Sequence, residues 1–329
     1  MAGNNFVASI DIGTEKIALL AADVEDAGHL RIIAHNFCSS DGVKKGALFS
    51  IDSLARVITN LIEQTKKDFG YKVDLASINI SDTHLTCSDG KGKVSINESV
   101  TLKDLDSVLE SAMAKSTPTN KEKLHIIKKR FTINETLVVD NPIEMKAEVL
   151  ESTVHIVTVS SSSIRNIERC LEQSDLEVEK IVLNSIAKSH AVLSQEDKDS
   201  GVCLVDIGAG VTSYSVFSEE GIVRSGVIAL GGDEITQEIA YAFDTSFEEA
   251  KRLKENYGSA KSSTLQEDKL IYFTQNKEEH YLSSLELTEV IEEAYREIFT
   301  LLNNELKHHN LGGIIKSGFV LCGGGAQIN

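Results

Sequence analysis

The pattern FVASIDIG at residues 6–13 returns as GVCLVDIG at residues 201–208. In both copies an apolar run typical of a buried strand ends in Asp-Ile-Gly, and a short turn of small and polar residues leads into a second strand-like run. The pattern places one aspartate at each strand end, Asp11 in the first copy and Asp206 in the second. Two similar strand–turn–strand units in opposite halves of the chain predict two similar domains that face each other.

The two turns have the composition of a phosphate-binding site. Glycines let the backbone approach a ligand closely, so that consecutive N–H groups can surround a phosphate. Thr14 adds a hydroxyl donor and Lys16 a positive charge. Each aspartate can hold Mg²⁺ or its water shell, because Mg²⁺ prefers oxygen ligands and retains waters. The alternative is two tight hairpins in which Asp11 and Asp206 make only turn hydrogen bonds, and the presence of two copies favours the ligand site.

A third glycine-rich segment follows an apolar run near the end of the chain. Residues 318–322 read as a strand, and Gly323, Gly324, Gly325 and Ala326 follow directly. Such glycines allow close approach of the backbone to a flat or anionic ligand group. On its own, however, a flexible turn is the favoured interpretation of this segment.

Composition narrows the class of protein. The 329 residues carry 33 Lys and Arg against 50 Asp and Glu, for a net charge of −17, and 41% of them are hydrophobic. This charge opposes binding to nucleic acid, so no nucleic-acid partner is expected. The five cysteines form no CxxC pair and are expected to be small buried residues in a reducing compartment. The motifs GxxxxGK(S/T), HExxH and GxSxG do not occur.

Apolar runs and helical periodicity alternate along the chain, which indicates an α/β fold. Strands are predicted near residues 6–12, 17–22, 154–159, 202–207 and 319–322. One helix is predicted over about 53–68, with Ser53 or Asp52 as its cap and Gly70 at its end. Another is predicted over about 288–307, with an apolar stripe of Val290, Ile291, Ala294, Ile298, Leu301 and Leu302.

The order of these motifs resembles a known superfamily. DIGT at 11–14, DIGAG at 206–210, Gly231-Gly232 and GGGA at 323–326 resemble, in this order, the actin-like ATPases. Further stretches resemble the FtsA family of bacterial cell-division proteins, namely IDIGTEK at 10–16, NP at 141–142, VHIVT at 154–158, IAYAF at 239–243 and YGSA at 257–260. The resemblance runs from about residue 6 to the last residue.

The resemblance implies an actin-like (ribonuclease H-like) two-lobed α/β fold with ATP and Mg²⁺ in the cleft. It implies subdomain 1A at 1–83 and 164–194, an FtsA-type, SHS2-like subdomain 1C at 84–163, an incomplete subdomain 2A at 195–231 and 288–329, and subdomain 2B at 232–287. Asp11 and Asp206 are implied to hold Mg²⁺ through water. The implied nucleotide-binding residues are Asp11, Gly13, Thr14, Glu15, Lys16, Asp206, Gly208, Ala209, Gly210, Thr212, Gly231, Gly232, Lys254, Gly323, Gly324, Gly325 and Ala326.

The resemblance also implies partners and a place in the cell. Members of this family polymerise, bind the C-terminal tail of the tubulin-like FtsZ through 2B, and recruit later division proteins of the membrane, here through 1C. They work at the inner face of the cytoplasmic membrane at the division site, which they reach through a C-terminal amphipathic helix. That helix is absent here, since the chain stops at Asn329 directly after the glycine segment, and we therefore expect a truncated chain.

Departures from the family pattern concern the chemistry of the second turn. Val211 lacks a hydroxyl donor and Ser213 lacks a carboxylate where the family usually has them, so at most a weak ATPase is expected. Lys251 stands where a glutamate that contacts ribose is common, and only Lys254 is carried over from that helix. Two alternatives remain within the same fold, a pilus-assembly adaptor and, less favoured, a phosphotransferase of the sugar-kinase type.

Overall fold

The structure is a computed structural model that describes residues 6–25, 28–114, 117–275 and 278–328. The chain end at Asn329 lies outside these ranges. The strands within them are β1 Phe6–Ile12, β2 Lys16–Val24, β3 Leu30–Ser39, β4 Val43–Lys44, β5 Ala47–Leu48, β6 Leu75–Ile80, β7 Thr86–Ser95, β8 Lys121–Ile133, β9 Leu137–Val139, β10 Val149–Ser160, β11 Glu177–Leu183, β12 Val202–Ile207, β13 Thr212–Ser218, β14 Gly221–Ile228, β15 Leu270–Gln275, β16 Glu278–Ser283 and β17 Phe319–Cys322. The helices are α1 Ile51–Phe69, α2 Leu102–Met113, α3 Ser161–Gln173, α4 Asn184–Val192, α5 Gln195–Ser200, α6 Gly232–Ala242, α7 Phe247–Tyr257 and α8 Ser284–His308, and Gly324–Gln327 form a 3₁₀ turn.

The first lobe is built on a five-stranded sheet in the order β11-β6-β1-β2-β3. Strand β1 is antiparallel to β2 and parallel to β6. Side chains alternate between the two faces of a strand, and Ala8 and Ile10 are buried in the core that α1 and α3 cover. Asp11 therefore lies on the opposite face, at the carboxyl end of β1.

Helix α1 begins earlier than its sequence pattern predicts. Ser50, rather than Asp52 or Ser53, is the cap, and its side chain accepts a hydrogen bond from the backbone N–H of Ser53. Ser53 is thus the donor at the third helical position, which is the usual partner of a capping hydroxyl. The predicted end is confirmed, because Gly70 has φ 77° and its N–H bonds to the carbonyl of Lys66.

Between β6 and α3, the chain forms an inserted antiparallel sheet with the strand order β7-β10-β8-β9. One face of this inserted sheet carries α2, whose Val108, Leu109 and Ala112 are buried against it. Gly90 and Gly92 on β7 allow α2 to lie directly on the strand, since a Cβ at either position would be 2.0 Å from a helix carbonyl oxygen.

The second lobe repeats the arrangement of the first around β12. Its sheet has the order β14-β13-β12-β17, in which β12 is antiparallel to β13 and parallel to β17. Asp206 pairs with Ser213 across the β12–β13 hairpin, as Asp11 pairs with Ala18 across β1–β2. The repeat in the sequence is therefore a repeat in the structure, and all five predicted strands are confirmed.

Helices α6, α7 and α8 surround the second core, with the β15–β16 hairpin beside them. The predicted late helix begins four residues earlier, at Ser284, where Ser283 and Glu286 form a capping box. Ile291 and Ile298 are buried as predicted, whereas the prediction for Leu301 is wrong, because that side chain is exposed. Leu302, the next residue of the predicted stripe, is buried as predicted.

The inserted sheet also contacts the second lobe. Ile127 of β8 packs into a cluster with Val202 and Phe217, and the Sγ of Cys87 donates to the carbonyl of Ser225 at 3.3 Å. His125 of β8 accepts a hydrogen bond at Nε2 from the backbone N–H of Leu183 at 2.9 Å. The insertion thus supports the start of α4, whose side chains enter the site described next.

Candidate functional site

The two aspartate-ended turns face each other through a chain of side-chain amides. Asn79, at the end of β6, donates from Nδ2 to Asp11 Oδ1 and, at 2.9 Å, to Asn184 Oδ1. Asn184 in turn donates from Nδ2 to Asp206 Oδ2 at 3.0 Å. The backbone N–H of Ile12 donates to Asn79 Oδ1 at 2.7 Å and fixes the orientation of that amide. The carboxyl ends of β1 and β12 are therefore held at a common point between the lobes.

The backbones of the two turns are closed in the same way. The N–H of Gly13 donates to the carbonyl of Lys16 at 3.0 Å, and the N–H of Gly208 donates to the carbonyl of Val211 at 2.9 Å. The turns also touch, because a Cβ on Gly210 would lie 2.6 Å from Thr14 Oγ1. Only a glycine at position 210 permits this approach of the two lobes.

A cavity of about 430 Å³ opens beside the turns, between the two lobes. Seven of the residues predicted from the sequence line it, namely Glu15, Gly208, Ala209, Gly232, Lys254, Gly324 and Gly325. Seven further lining residues are Asp233, Lys251, Glu255, Gly258, Tyr295, Gln327 and Ile328. This volume lies within the range of small-molecule sites.

Other predicted residues lie beside the cavity rather than in its wall. Thr212 is fully buried, and its hydroxyl donates to the carbonyl of Leu230 at 2.9 Å. Thr14 accepts from the N–H of Gly46 at 3.2 Å, and the Lys16 side chain is exposed on β2. Seven more predicted residues lie outside the cavity wall, in the turns or next to them, namely Asp11, Gly13, Asp206, Gly210, Gly231, Gly323 and Ala326.

Charges of both signs face the cavity. Lys254 donates from Nζ to the Gly232 carbonyl at 2.7 Å and to Thr236 Oγ1 at 2.6 Å, and burial lowers the pKa of this lysine. Lys251 forms an ion pair with Glu15 across the cleft, and this hydrogen bond raises the pKa of Lys251. Lys251 was not expected in the site, but it projects from the same face of α7 as Lys254, three residues on.

Tyr295 and the glycine segment form the far wall of the cavity. The Tyr295 hydroxyl donates to the carbonyl of Gly325 at 2.5 Å, and burial raises the pKa of this phenol to about 12. Ile328 adds an apolar surface next to it. This end of the cavity suits a flat, largely apolar group, and the lysine end suits an anion.

Asp206 was expected to hold Mg²⁺ through water, and its surroundings fit that role poorly. Lys188 Nζ lies 2.7 Å from Asp206 Oδ2, and Ser213 Oγ donates to the same oxygen at 3.2 Å. Among the residues that the structure describes, no cluster of three or more His, Cys, Asp or Glu side chains could hold a metal ion. Lys188 thus forms an ion pair with the aspartate that was expected to hold the metal.

The sequence analysis missed Asn79, Asn184 and Lys188. A signal for two of them was present, because Asn79 and Asn184 stand at the carboxyl ends of strands β6 and β11, and ligands bind at that edge of open α/β sheets. Lys188 follows Asn184 by one helical turn and shares its face of α4. Recognising these residues requires knowing that β6 pairs with β1 and that β11 lies on the other side of β6.

Comparison with known proteins assigns the chain to a family. The family model described as "Cell division protein FtsA" matches residues 203–328, and that described as "SHS2 domain inserted in FTSA" matches residues 82–158. The Cell division protein FtsA of Pseudomonas aeruginosa is 32% identical over 325 residues, covering 98% of this chain and 78% of that protein. The FtsA of Borreliella burgdorferi is also 32% identical, over 328 residues, with 98% and 79% covered.

This chain belongs to the FtsA family.

Its role is therefore in cell division, and the family recognised from the motifs is confirmed. Together with this family assignment, solved structures similar to the chain confirm the actin-like fold. The PilM–PilN type IV pilus biogenesis complex has a TM-score of 0.67 at 15% identity, covering 98% of this chain and 82% of that one. MreB5 of Spiroplasma citri bound to ADP has a TM-score of 0.59 at 13% identity, with 99% and 87% covered. At such identities the likeness shows the fold alone, so the pilus complex does not support a pilus role for this FtsA-family chain.

No helix in the described part of this FtsA-family chain has the length and apolar character needed to span a bilayer.

Proposed function

We propose that the cavity between the lobes binds ATP. The phosphates would lie against the turns at 13–16 and 208–212, near Lys251 and Lys254, and the adenosine would lie against residues 323–326 and Tyr295. The observation that carries this proposal is the amide chain from Asp11 to Asp206, because it brings both glycine turns to one cavity. Lys251 and Lys254, which lie among carboxylates at one end of the cavity, and Tyr295 at the other end are groups that could contact phosphates and a base.

A substitution that fills the cavity tests ATP binding. Gly324 lines the cavity, and an added Cβ there would meet no atom within 4 Å, so Gly324→Leu should fold normally while occupying ligand space. Gly313→Leu is the matched control, since Gly313 is exposed and equally open.

At ATP about 100-fold above its dissociation constant, wild type and the control should gain about 2.7 kcal/mol of stability, visible as a thermal shift. Gly324→Leu should lose most of that shift. The proposal fails if no variant, including wild type, shifts with ATP, or if the filled cavity binds as well as the open one.

We further propose that the chain acts as an ATP-binding scaffold that polymerises and links FtsZ to the membrane at the division site. On this proposal residues 232–287, subdomain 2B, receive the FtsZ tail, and residues 84–163, subdomain 1C, recruit later division proteins. Residues 1–83 with 164–194 and 195–231 with 288–329 form the cores of the two lobes, subdomains 1A and 2A. ATP turnover is proposed to be weak at most, because the Ser213 hydroxyl donates its hydrogen bond to Asp206 and the Val211 side chain has no polar group.

Exposed aromatic residues support a peptide-binding role for 232–287. The rings of Tyr272 and Tyr281 lie against each other on the β15–β16 hairpin, with centroids 4.5 Å apart and planes tilted by 58°, and both residues are more than half exposed. Tyr241 on α6 is 86% exposed. Exposed aromatic side chains are enriched among the residues that dominate binding energy at interfaces.

A pull-down with an FtsZ-tail peptide and a pilus-protein peptide tests the partner. The FtsZ peptide should be retained, and Tyr272→Ala with Tyr281→Ala should weaken it, whereas Phe49→Ala, which removes an exposed aromatic group from the first lobe, should not. Retention of the pilus peptide alone would refute the division-scaffold assignment of this surface.

A further inference from the structure

The Asp206 carboxylate is almost fully enclosed, with 2% of the residue exposed. Its Oδ2 receives three donors, Lys188 Nζ at 2.7 Å, Asn184 Nδ2 at 3.0 Å and Ser213 Oγ at 3.2 Å. Its Oδ1 lies 3.9 Å from Cys322 Sγ, and a Cβ added to Gly323 would lie 2.5 Å from this oxygen. All three short contacts are therefore on Oδ2, whereas Oδ1 makes only the long contact with the Cys322 thiol.

Lys188 is placed on Asp206 by local structure. Helix α4 begins at Asn184 directly after β11, and residues four apart lie on one face of a helix. Asn184 and Lys188 consequently reach the same carboxylate, one with a neutral amide and the other with a full positive charge. A buried carboxylate needs such a partner, because an unpaired charge in this environment is strongly destabilising.

A hydrated Mg²⁺ is poorly accommodated at this position. The ion requires a near-octahedral shell of oxygen ligands at about 2.0–2.1 Å and gives up its waters reluctantly. To reach Asp206 Oδ2, the ion or its water shell would have to displace the Lys188 ammonium and two further hydrogen bonds. Asp11 remains more exposed, but its Oδ1 is held by Asn79.

We infer that Lys188 takes the place of the divalent cation, so that this cleft binds its nucleotide without requiring Mg²⁺. The inference rests on the proposed ATP site. The Lys188 ammonium lies 2.7 Å from Asp206 Oδ2 and neutralises it, and the Lys188 side chain is still 30% exposed. It acts as a fixed counter-ion that lowers the repulsion between Asp206 and an incoming polyphosphate.

The test compares nucleotide affinity with and without free divalent cations. ATP binding is measured by calorimetry in excess Mg²⁺ and in excess EDTA, for wild type, Lys188→Met, Lys188→Arg and the control Lys103→Met, whose lysine is exposed on α2. Met keeps an unbranched stem and removes the charge, whereas Arg keeps the charge. Thermal melts without nucleotide check that each variant is folded.

The dissociation constant of wild type should change less than about threefold between the two buffers, as should those of Lys188→Arg and Lys103→Met. Lys188→Met should lose about tenfold or more in EDTA and regain affinity in Mg²⁺, because the ion can then approach Asp206. If Lys188→Met does not fold, the wild-type comparison alone decides.

Two outcomes separate the two proposals. ATP binding by wild type only in Mg²⁺ would overturn the role of Lys188 and leave the ATP site standing. No ATP binding in either buffer would overturn the ATP site and this inference with it. Equal affinities of Lys188→Met and wild type in EDTA would also refute the inference, because the charge would then contribute nothing.

Discussion

Replacement of Gly92 by alanine should force α2 away from the inserted sheet. A Cβ on Gly92 would lie 2.0 Å from the carbonyl oxygen of Val108 and 2.7 Å from the backbone nitrogen of Ala112. Both contacts are with helix backbone, which cannot rotate aside as a side chain can. Because Cβ atoms in proteins do not approach such atoms within 3.0 Å, α2 must move by about 1 Å at this point.

The energetic consequence follows from what α2 buries. Val108 and Leu109 lie in the core of the inserted sheet with exposures of 0% and 5%. Overpacking that displaces a well-packed element costs about 1–3 kcal/mol, a substantial share of the roughly 5–15 kcal/mol that stabilises a domain. Gly90→Ala meets the Ala112 carbonyl in the same way, so the double variant should cost less than the sum, because one shift of α2 relieves both clashes.

Urea denaturation measures this cost. Gly92→Ala should lower the free energy of unfolding by about 1–3 kcal/mol, and the amides of α2 should exchange faster with solvent. Gly312→Ala is the matched control, because a Cβ there meets nothing within 4 Å, and it should stay within about 0.5 kcal/mol of wild type. If Gly92→Ala unfolds at the same urea concentration as Gly312→Ala, the close packing of α2 on β7 is refuted.

Three further predictions concern titration, the cavity wall and the thiols. Burial lowers the pKa of His125 from 6.5, so below pH 6.5 the unfolded chain binds a proton more readily than the folded chain does. The free energy of unfolding should therefore fall as the pH drops below 6.5 and level off below the folded pKa. Denaturant titrations across pH measure this fall, which should be smaller in His125→Gln. Tyr295→Phe removes the hydrogen bond to the Gly325 carbonyl and should cost about 1 kcal/mol of stability together with weaker ATP binding, whereas equal ATP affinity would show that this bond does not shape the site. Burial raises the pKa of Cys203 to about 12, so mass spectrometry should find this thiol unalkylated by iodoacetamide at pH 8 until the chain is unfolded.

Much of the fold could be predicted because short stretches of sequence determine where strands and helices end. The strand ends at Asp11 and Asp206 follow from short apolar runs that stop at Asp-Ile-Gly, and the end of α1 follows from a single glycine at position 70. Errors occurred at helix starts, as with the Ser50 cap of α1 and the start of α8 at Ser284, and at the edge of a stripe, where Leu301 is exposed. Local pattern sets element boundaries only to within a few residues.

The sequence predicted part of the cavity lining and missed the amide chain between the two turns. Glycine turns indicate where a backbone can approach a ligand, and Gly208 and Gly324 do line the cavity. Lys251 was set aside because a glutamate is common at that position in the family, yet it lines the cavity and pairs with Glu15 from the other lobe. That contact joins residues far apart in the chain and has no sequence pattern of its own.

Asp206 shows most clearly where sequence reasoning ends. Its position at the end of a buried strand is readable from six consecutive residues, because alternation and turn chemistry depend only on neighbours in the chain. Its partner is not readable in that way, because the choice between a bound metal ion and Lys188 depends on how α4 packs beside β12. The residues next to Asp206 in the chain determine the position of its carboxylate, whereas the packing of elements far apart in the chain determines which group neutralises it.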